Sequence, residues 1–151
     1  MPTIFLLFLL FLLVAVAGVA AVTQQVFNAN LRYVLNSAAW AAVVSYAVGL
    51  TCVVGLALAS RDPLPSFAVV RGSSWYLWTG GALGALFIII AIFLVPKLGA
   101  ATFIALFVVG QMVASLVFDH FGLFGLEKHA ASPMRLAGAA LLVAGVVLIR
   151  R

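Results

Sequence analysis

The chain has 151 residues, of which 67% are hydrophobic and 7% charged, with eight lysines and arginines against three acids. Soluble domains carry about a quarter of their residues as charges, and a fold of this length cannot hide so much apolar surface from water. The net charge of +5 does not point to nucleic acid, because the basic residues stand singly at the edges of apolar runs, where they anchor and orient a membrane protein.

Charge-free runs define the elements. None of the charges falls within Pro2 to Leu31, Tyr33 to Ser60, Gly72 to Pro96 or Leu98 to Phe118, and a last run, Leu136 to Ile149, closes before Arg150 and Arg151. A hydrocarbon core about 30 Å thick takes about 20 residues of helix, so four runs are long enough to cross it. The last run holds 14 residues, and its flanking arginines can snorkel to the interface. The first run is read as a span and not as a cleavable signal, since no Lys or Arg precedes it and its apolar stretch is too long. Ala15 to Ala21 imitates a cleavage site, but four spans would remain if it were cut.

In chain order, the first helix is expected over about 3–27, with Pro2 suited to a first turn. Arg32 and 34–37 form a short turn, and the second helix covers about 38–59. Arg61-Asp62-Pro63-Leu64-Pro65-Ser66 is an aqueous loop, because two prolines and a charged pair break the helix. Residues 67–70 lie along the interface, and the third helix, about 73–95, opens on Trp75, Tyr76 and Trp78 at the headgroup level. Pro96 to Gly99 is a tight turn that makes antiparallel neighbours of the third helix and the fourth, about 100–118. The polar segment 119–132 leads to the fifth helix, about 133–149. The expectation is an all-α, polytopic transmembrane bundle of five helices in one integral membrane domain over 1–151, with the bilayer as its first partner.

Small residues mark where helices can approach in lipid: Gly80 and Gly84 form a GxxxG pair, and Gly138 and Gly145 stand seven apart. They serve packing within the chain or between copies. With five spans, Arg61, Arg71, Lys128 and Arg135 fall on one side and Arg32, Lys97, Arg150 and Arg151 on the other. Four against four leaves no basic excess to choose the cytoplasmic side. Either weaker cues set the orientation, or the chain inserts both ways and pairs as an antiparallel homodimer, the inverted geometry of many secondary transporters.

Functional candidates are the polar groups inside the runs. Gln24 and Asn28 are four apart and Gln25 and Asn28 three apart, so they share a helix face, with Asn30 just beyond. Gln111, Ser115 and Asp119 follow at i, i+4 and i+8. An unpartnered amide in hydrocarbon costs several kcal/mol, so Gln111 needs another helix or a wet cavity. It holds the bundle together or touches a substrate. Asp119 faces headgroups, compensates Arg135 or couples a proton or cation. Tyr46 and Trp40 pack or line a pocket for an organic substrate. Asp119, His120, Glu127 and His129 match no metal-ligand spacing. The lone Cys52 offers neither a disulfide nor a metal cluster. With no nucleophile beside a base and no glycine-rich phosphate cradle, neither an enzyme nor a cofactor is expected.

The succession Gln24-Gln25, Asn28, Gly80-Gly81, Val95-Pro96-Lys97-Leu98-Gly99-Ala100, Gly110-Gln111 and Asp119-His120-Phe121-Gly122-Leu123-Phe124-Gly125 resembles the YdcZ-like family of short bacterial membrane proteins, placed in the drug/metabolite transporter superfamily. The resemblance covers nearly the whole chain. More distantly, 98–114 and 135–147 are similar to the last two helices of small multidrug resistance proteins, which work as antiparallel dimers. The resemblance implies a multi-pass protein of the bacterial inner membrane that exports small solutes. Small multidrug resistance proteins exchange protons through a glutamate in the first helix, but none exists here, so that mechanism does not transfer. The expectation is thus a transporter of small solutes or metabolites acting as an oligomer by alternating access. Its substrate contacts are Gln24, Gln25, Asn28, Tyr46, Gln111 and Ser115, and Asp119 is its coupling site. The rival from another class is a non-transporting membrane subunit or assembly factor of a larger complex.

Overall fold

A computed structural model describes residues 2–150, with side chains from Ile4 onward. The described chain is almost wholly helical and contains no strands. Its elements are α1 (Pro2–Leu35), α2 (Ala38–Ala59), α3 (Phe67–Gly72), a 3-10 turn (Trp75–Thr79), α4 (Gly80–Leu98), α5 (Ala100–Phe121), a 3-10 turn (Leu123–Gly125) and α6 (Pro133–Arg150). Five helical stretches are long and apolar enough to cross a membrane: Ile4–Leu35, Ala38–Ala59, Trp75–Leu98, Ala100–Phe121 and Pro133–Arg150. The chain divides into a unit ending at Pro96 and a unit beginning at Lys97.

In the first unit, α1 runs eight residues past the boundary expected at 27, because Asn28, Asn30 and Arg32 break no backbone hydrogen bond. It ends in a Schellman motif. Asn36 takes the left-handed conformation at φ 49°, its N–H donates to the Tyr33 carbonyl (3.4 Å), and the Ser37 N–H donates to the Arg32 carbonyl (3.1 Å). Ser37 then caps α2, its hydroxyl accepting from the Trp40 N–H at 3.2 Å. A two-residue connection therefore folds α2 back on α1. The same device ends α2 at Arg61 (φ 55°), with Arg61 N–H on the Leu58 carbonyl and Asp62 N–H on the Ala57 carbonyl before Pro63.

The core of this unit is small-to-large packing: Ala41 and Ala42 of α2 meet Ile88 and Ile92 of α4, with Leu31, Ala38 and Phe87 beside them. All of these lie toward the α1–α2 connection. Every described side chain from Ile4 to Ala21 is exposed, as an all-apolar helix face is when its solvent is lipid. At the other end, Tyr46 reaches α4: a Cβ placed on Gly84 would lie 2.7 Å from its Oη. That close approach explains half of the Gly80/Gly84 pair, since nothing lies within 4 Å of a Cβ on Gly80.

Pro96, expected in a turn, lies inside the last turn of α4. Proline lacks the N–H that would reach the carbonyl four residues back, which here is Ile92. The Arg32 guanidinium supplies the missing donor, Nη1 lying 3.5 Å from that oxygen. The helix therefore continues to Leu98 and breaks at Gly99, where φ is +79°.

In the second unit α5 packs along α6, burying Phe103, Leu116 and Val146. Gly122, left-handed at φ 64°, ends α5, and the Leu123–Gly125 turn folds Phe124 against Phe118 at 5.3 Å, edge to face. Ser132 opens α6, its hydroxyl accepting from the Arg135 N–H at 3.3 Å.

Candidate functional site

Gln25, Asn28, Ala29 and Arg32 fall at i, i+3, i+4 and i+7 of α1, one continuous stripe. That stripe turns inward. Gln25 is 2% exposed and Asn28 5%, the buried polar residues among those described. Gln25 Oε1 and Asn28 Nδ2 have no hydrogen-bond partner. One is an acceptor and the other a donor, a turn apart on the same stripe. Leaving such an atom buried and unmet costs about 1–3 kcal/mol, so a bundle optimised only for packing would carry leucine or methionine here. Gln24 and Asn30 point away and are exposed, each being one or two residues off the stripe. Tyr46 is partly exposed, and its hydroxyl makes no hydrogen bond within the described chain.

On α5, Gln111 and Ser115 are exposed and Asp119 is half-buried. An ideal helix advances about 100° per residue, so a spacing of eight drifts about 80° off the starting face. This drift turns Asp119 toward the following loop. There it forms an ion pair with Arg135 of α6. The loop is stitched around that pair: the His129 N–H donates to the Asp119 carbonyl (2.8 Å), Arg135 Nη1 donates to the His129 carbonyl (3.3 Å), and the Ala131 N–H donates to His120 Nδ1 (3.1 Å). Arg135 compensation, one of the roles open to Asp119 from sequence, is thus its observed contact. The Asp-His-Phe-Gly segment is the last turn of α5 and its glycine cap, onto which the following loop closes. Glu127 and His129 approach to 3.9 Å, both largely exposed.

Arg32, expected from sequence as a topology charge in the short turn, lies instead inside α1. Its guanidinium is wedged between the Ile92 carbonyl and the Phe93 ring, 4.4 Å from the ring centroid. Tyr33, Asn36, Ser37 and Ala38 join Arg32 and Phe93 around a cavity of about 300 Å³. A signal for this was present: a proline four residues after an apolar helix position announces a carbonyl in need of a donor.

Five apolar spans define a polytopic integral membrane protein, with two amides turned inward whose hydrogen bonds are unmet. Residues 9–148 match the model of the family described as "Putative inner membrane exporter, YdcZ", and the chain belongs to that family. It is a membrane transporter of the inner membrane, as the sequence resemblance implied. The more distant likeness to small multidrug resistance proteins rests on the residues quoted above alone. No curated protein and no solved structure matches the chain.

Proposed function

We propose that this protein exports small polar solutes, and that Gln25 and Asn28 are the contacts that recognise them inside the membrane. The observation that carries this reading is the pair of buried, unmet atoms, Gln25 Oε1 and Asn28 Nδ2. A solute bearing a hydrogen-bond donor and an acceptor, such as a hydroxylated or amide-containing metabolite, satisfies both at once. The helix that carries the pair, α1, has no carboxylate to attract a cation. Gln24 and Tyr46 belong to the same unit and serve as outer contacts along the route.

The transporting species in this reading is an antiparallel homodimer working by alternating access. The equal division of basic residues supports it, and so do two surfaces of the second unit. Gln111 and Ser115 are exposed polar groups on a membrane span, which lipid cannot satisfy. A Cβ on Gly138 or Gly145 would meet nothing within 4 Å, so packing within the second unit does not require these glycines. A partner copy covers both. Coupling through Asp119 requires its pair with Arg135 to open during the cycle, which also loosens the loop. The open glycine faces favour one rival as well, a non-transporting subunit whose partner is a different protein.

Flux into proteoliposomes containing only this chain tests the proposal, using a panel of labelled amino acids, sugars, polyols and quaternary ammonium ions. Uptake of a neutral polar solute that Gln25→Met lowers about ten-fold supports it. Absence of flux for every class, with folded protein confirmed, favours the subunit.

A further inference from the structure

We propose that the cavity at the α1–α2 connection is a binding site for the phosphate of an anionic phospholipid headgroup, with Arg32 as its principal contact. The cavity is lined by Arg32, Tyr33, Asn36, Ser37, Ala38 and Phe93. Arg32 carries five N–H donors, and its hydrogen bond is a single one, from Nη1 to the Ile92 carbonyl. Among the described residues, the remaining donors have no acceptor and the charge has no carboxylate partner. Neither the Tyr33 hydroxyl nor the Asn36 side-chain amide is hydrogen-bonded within the described chain. Three polar residues with open valences thus line one cavity.

The guanidinium is held ready for an oxyanion. The carbonyl freed by Pro96 fixes one edge, and the Phe93 ring backs its face at 4.4 Å. A planar fork fixed in this way presents parallel N–H groups to two phosphate oxygens, as a lysine cannot.

The depth selects a lipid over a dissolved anion. From Ile4 to Arg32, α1 rises about 42 Å at 1.5 Å per residue, close to the full thickness of a bilayer with its headgroups, about 40–45 Å. Arg32 therefore sits at one headgroup layer, with apolar Phe93 beside it for the glycerol and upper acyl segment. Basic pockets between spans are where anionic headgroups are held.

Native mass spectrometry of the detergent-purified full chain, offered equal phosphatidylglycerol and phosphatidylcholine, tests this. The wild type retains phosphatidylglycerol preferentially, and Arg32→Gln lowers that retention about ten-fold, the loss of a charge-assisted hydrogen bond. Arg71→Gln, a basic residue of α3 outside the cavity, leaves retention unchanged. Should Arg32→Gln fail to fold by size-exclusion chromatography, Arg32→Lys serves: it keeps the charge, loses the fork, and gives a partial loss. Equal retention by wild type and the Arg32 variants overturns the proposal, and so does equal loss in Arg71→Gln, which would mark diffuse attraction. Displacement of the lipid by excess inorganic phosphate assigns the cavity to a water-soluble phosphate and overturns the lipid source.

Discussion

Replacing Gln25 by methionine separates a polar group kept for packing from one kept for a solute. The two side chains have the same length, so no cavity opens, and only the amide is lost. Gln25 is 2% exposed and its Oε1 has no partner, so the wild type carries a desolvation cost of about 1–3 kcal/mol that methionine removes. Unfolded chains in a micelle partly satisfy such amides, which brings the expected gain toward about 1 kcal/mol. Unfolding by sodium dodecyl sulfate in mixed micelles, followed by tryptophan fluorescence, should therefore show a more stable variant. Flux in proteoliposomes should fall about ten-fold, since one hydrogen bond of about 1.4 kcal/mol to the solute corresponds to that factor. Stability bought at the cost of activity is the mark of a functional polar group. A less stable variant would refute the reasoning, because it would mean that the amide is hydrogen-bonded in the folded protein. A more stable variant with full flux would remove Gln25 from the solute path.

Three further outcomes are expected. Gly84→Ala places a Cβ 2.7 Å from Tyr46 Oη and should destabilise the first unit by about 1 kcal/mol, since the tyrosine end can shift; Tyr46→Phe should restore most of it in the same denaturant titration, because the next atom stands at 3.9 Å. Asp119→Asn breaks a half-exposed ion pair and should cost about 1–2 kcal/mol while exposing the 122–132 connection to protease; undisturbed proteolysis would show that the backbone bonds hold that connection alone. Gln111→Leu should insert normally yet abolish flux and weaken cysteine cross-linking between copies along α5, whereas parallel loss of folded protein would make Gln111 a packing residue within one chain.

The class of this protein was legible without coordinates because lipid imposes a coarse, local rule: each span must be a long uncharged run, and charges fall where runs end. The α2 boundaries at 38 and 59 agree with the sequence reading for that reason. Boundaries set by capping were less visible. The extension of α1 to Leu35 depends on Asn36 adopting a left-handed cap, which asparagine allows but does not require. Pro96 reads as a turn until Arg32, sixty positions before Ile92, is seen to give the Ile92 carbonyl the hydrogen bond that proline removes.

The candidate site shows the same division. That Gln24, Gln25, Asn28 and Gln111 are costly at membrane depth follows from composition and periodicity. Which of them turns inward does not, because helical spacing gives relative directions on one helix and not the position of its neighbours. Burial of one stripe of α1 chose Gln25 and Asn28 over Gln24, and drift along α5 handed Asp119 to Arg135 while leaving Gln111 exposed. The sequence alone determined the solvent, the spans and the inventory of polar groups, since these depend on each residue's own transfer energy. Tertiary structure alone decided which donors and acceptors are met, because a hydrogen bond requires two groups within about 3 Å, and the chain order does not state that distance.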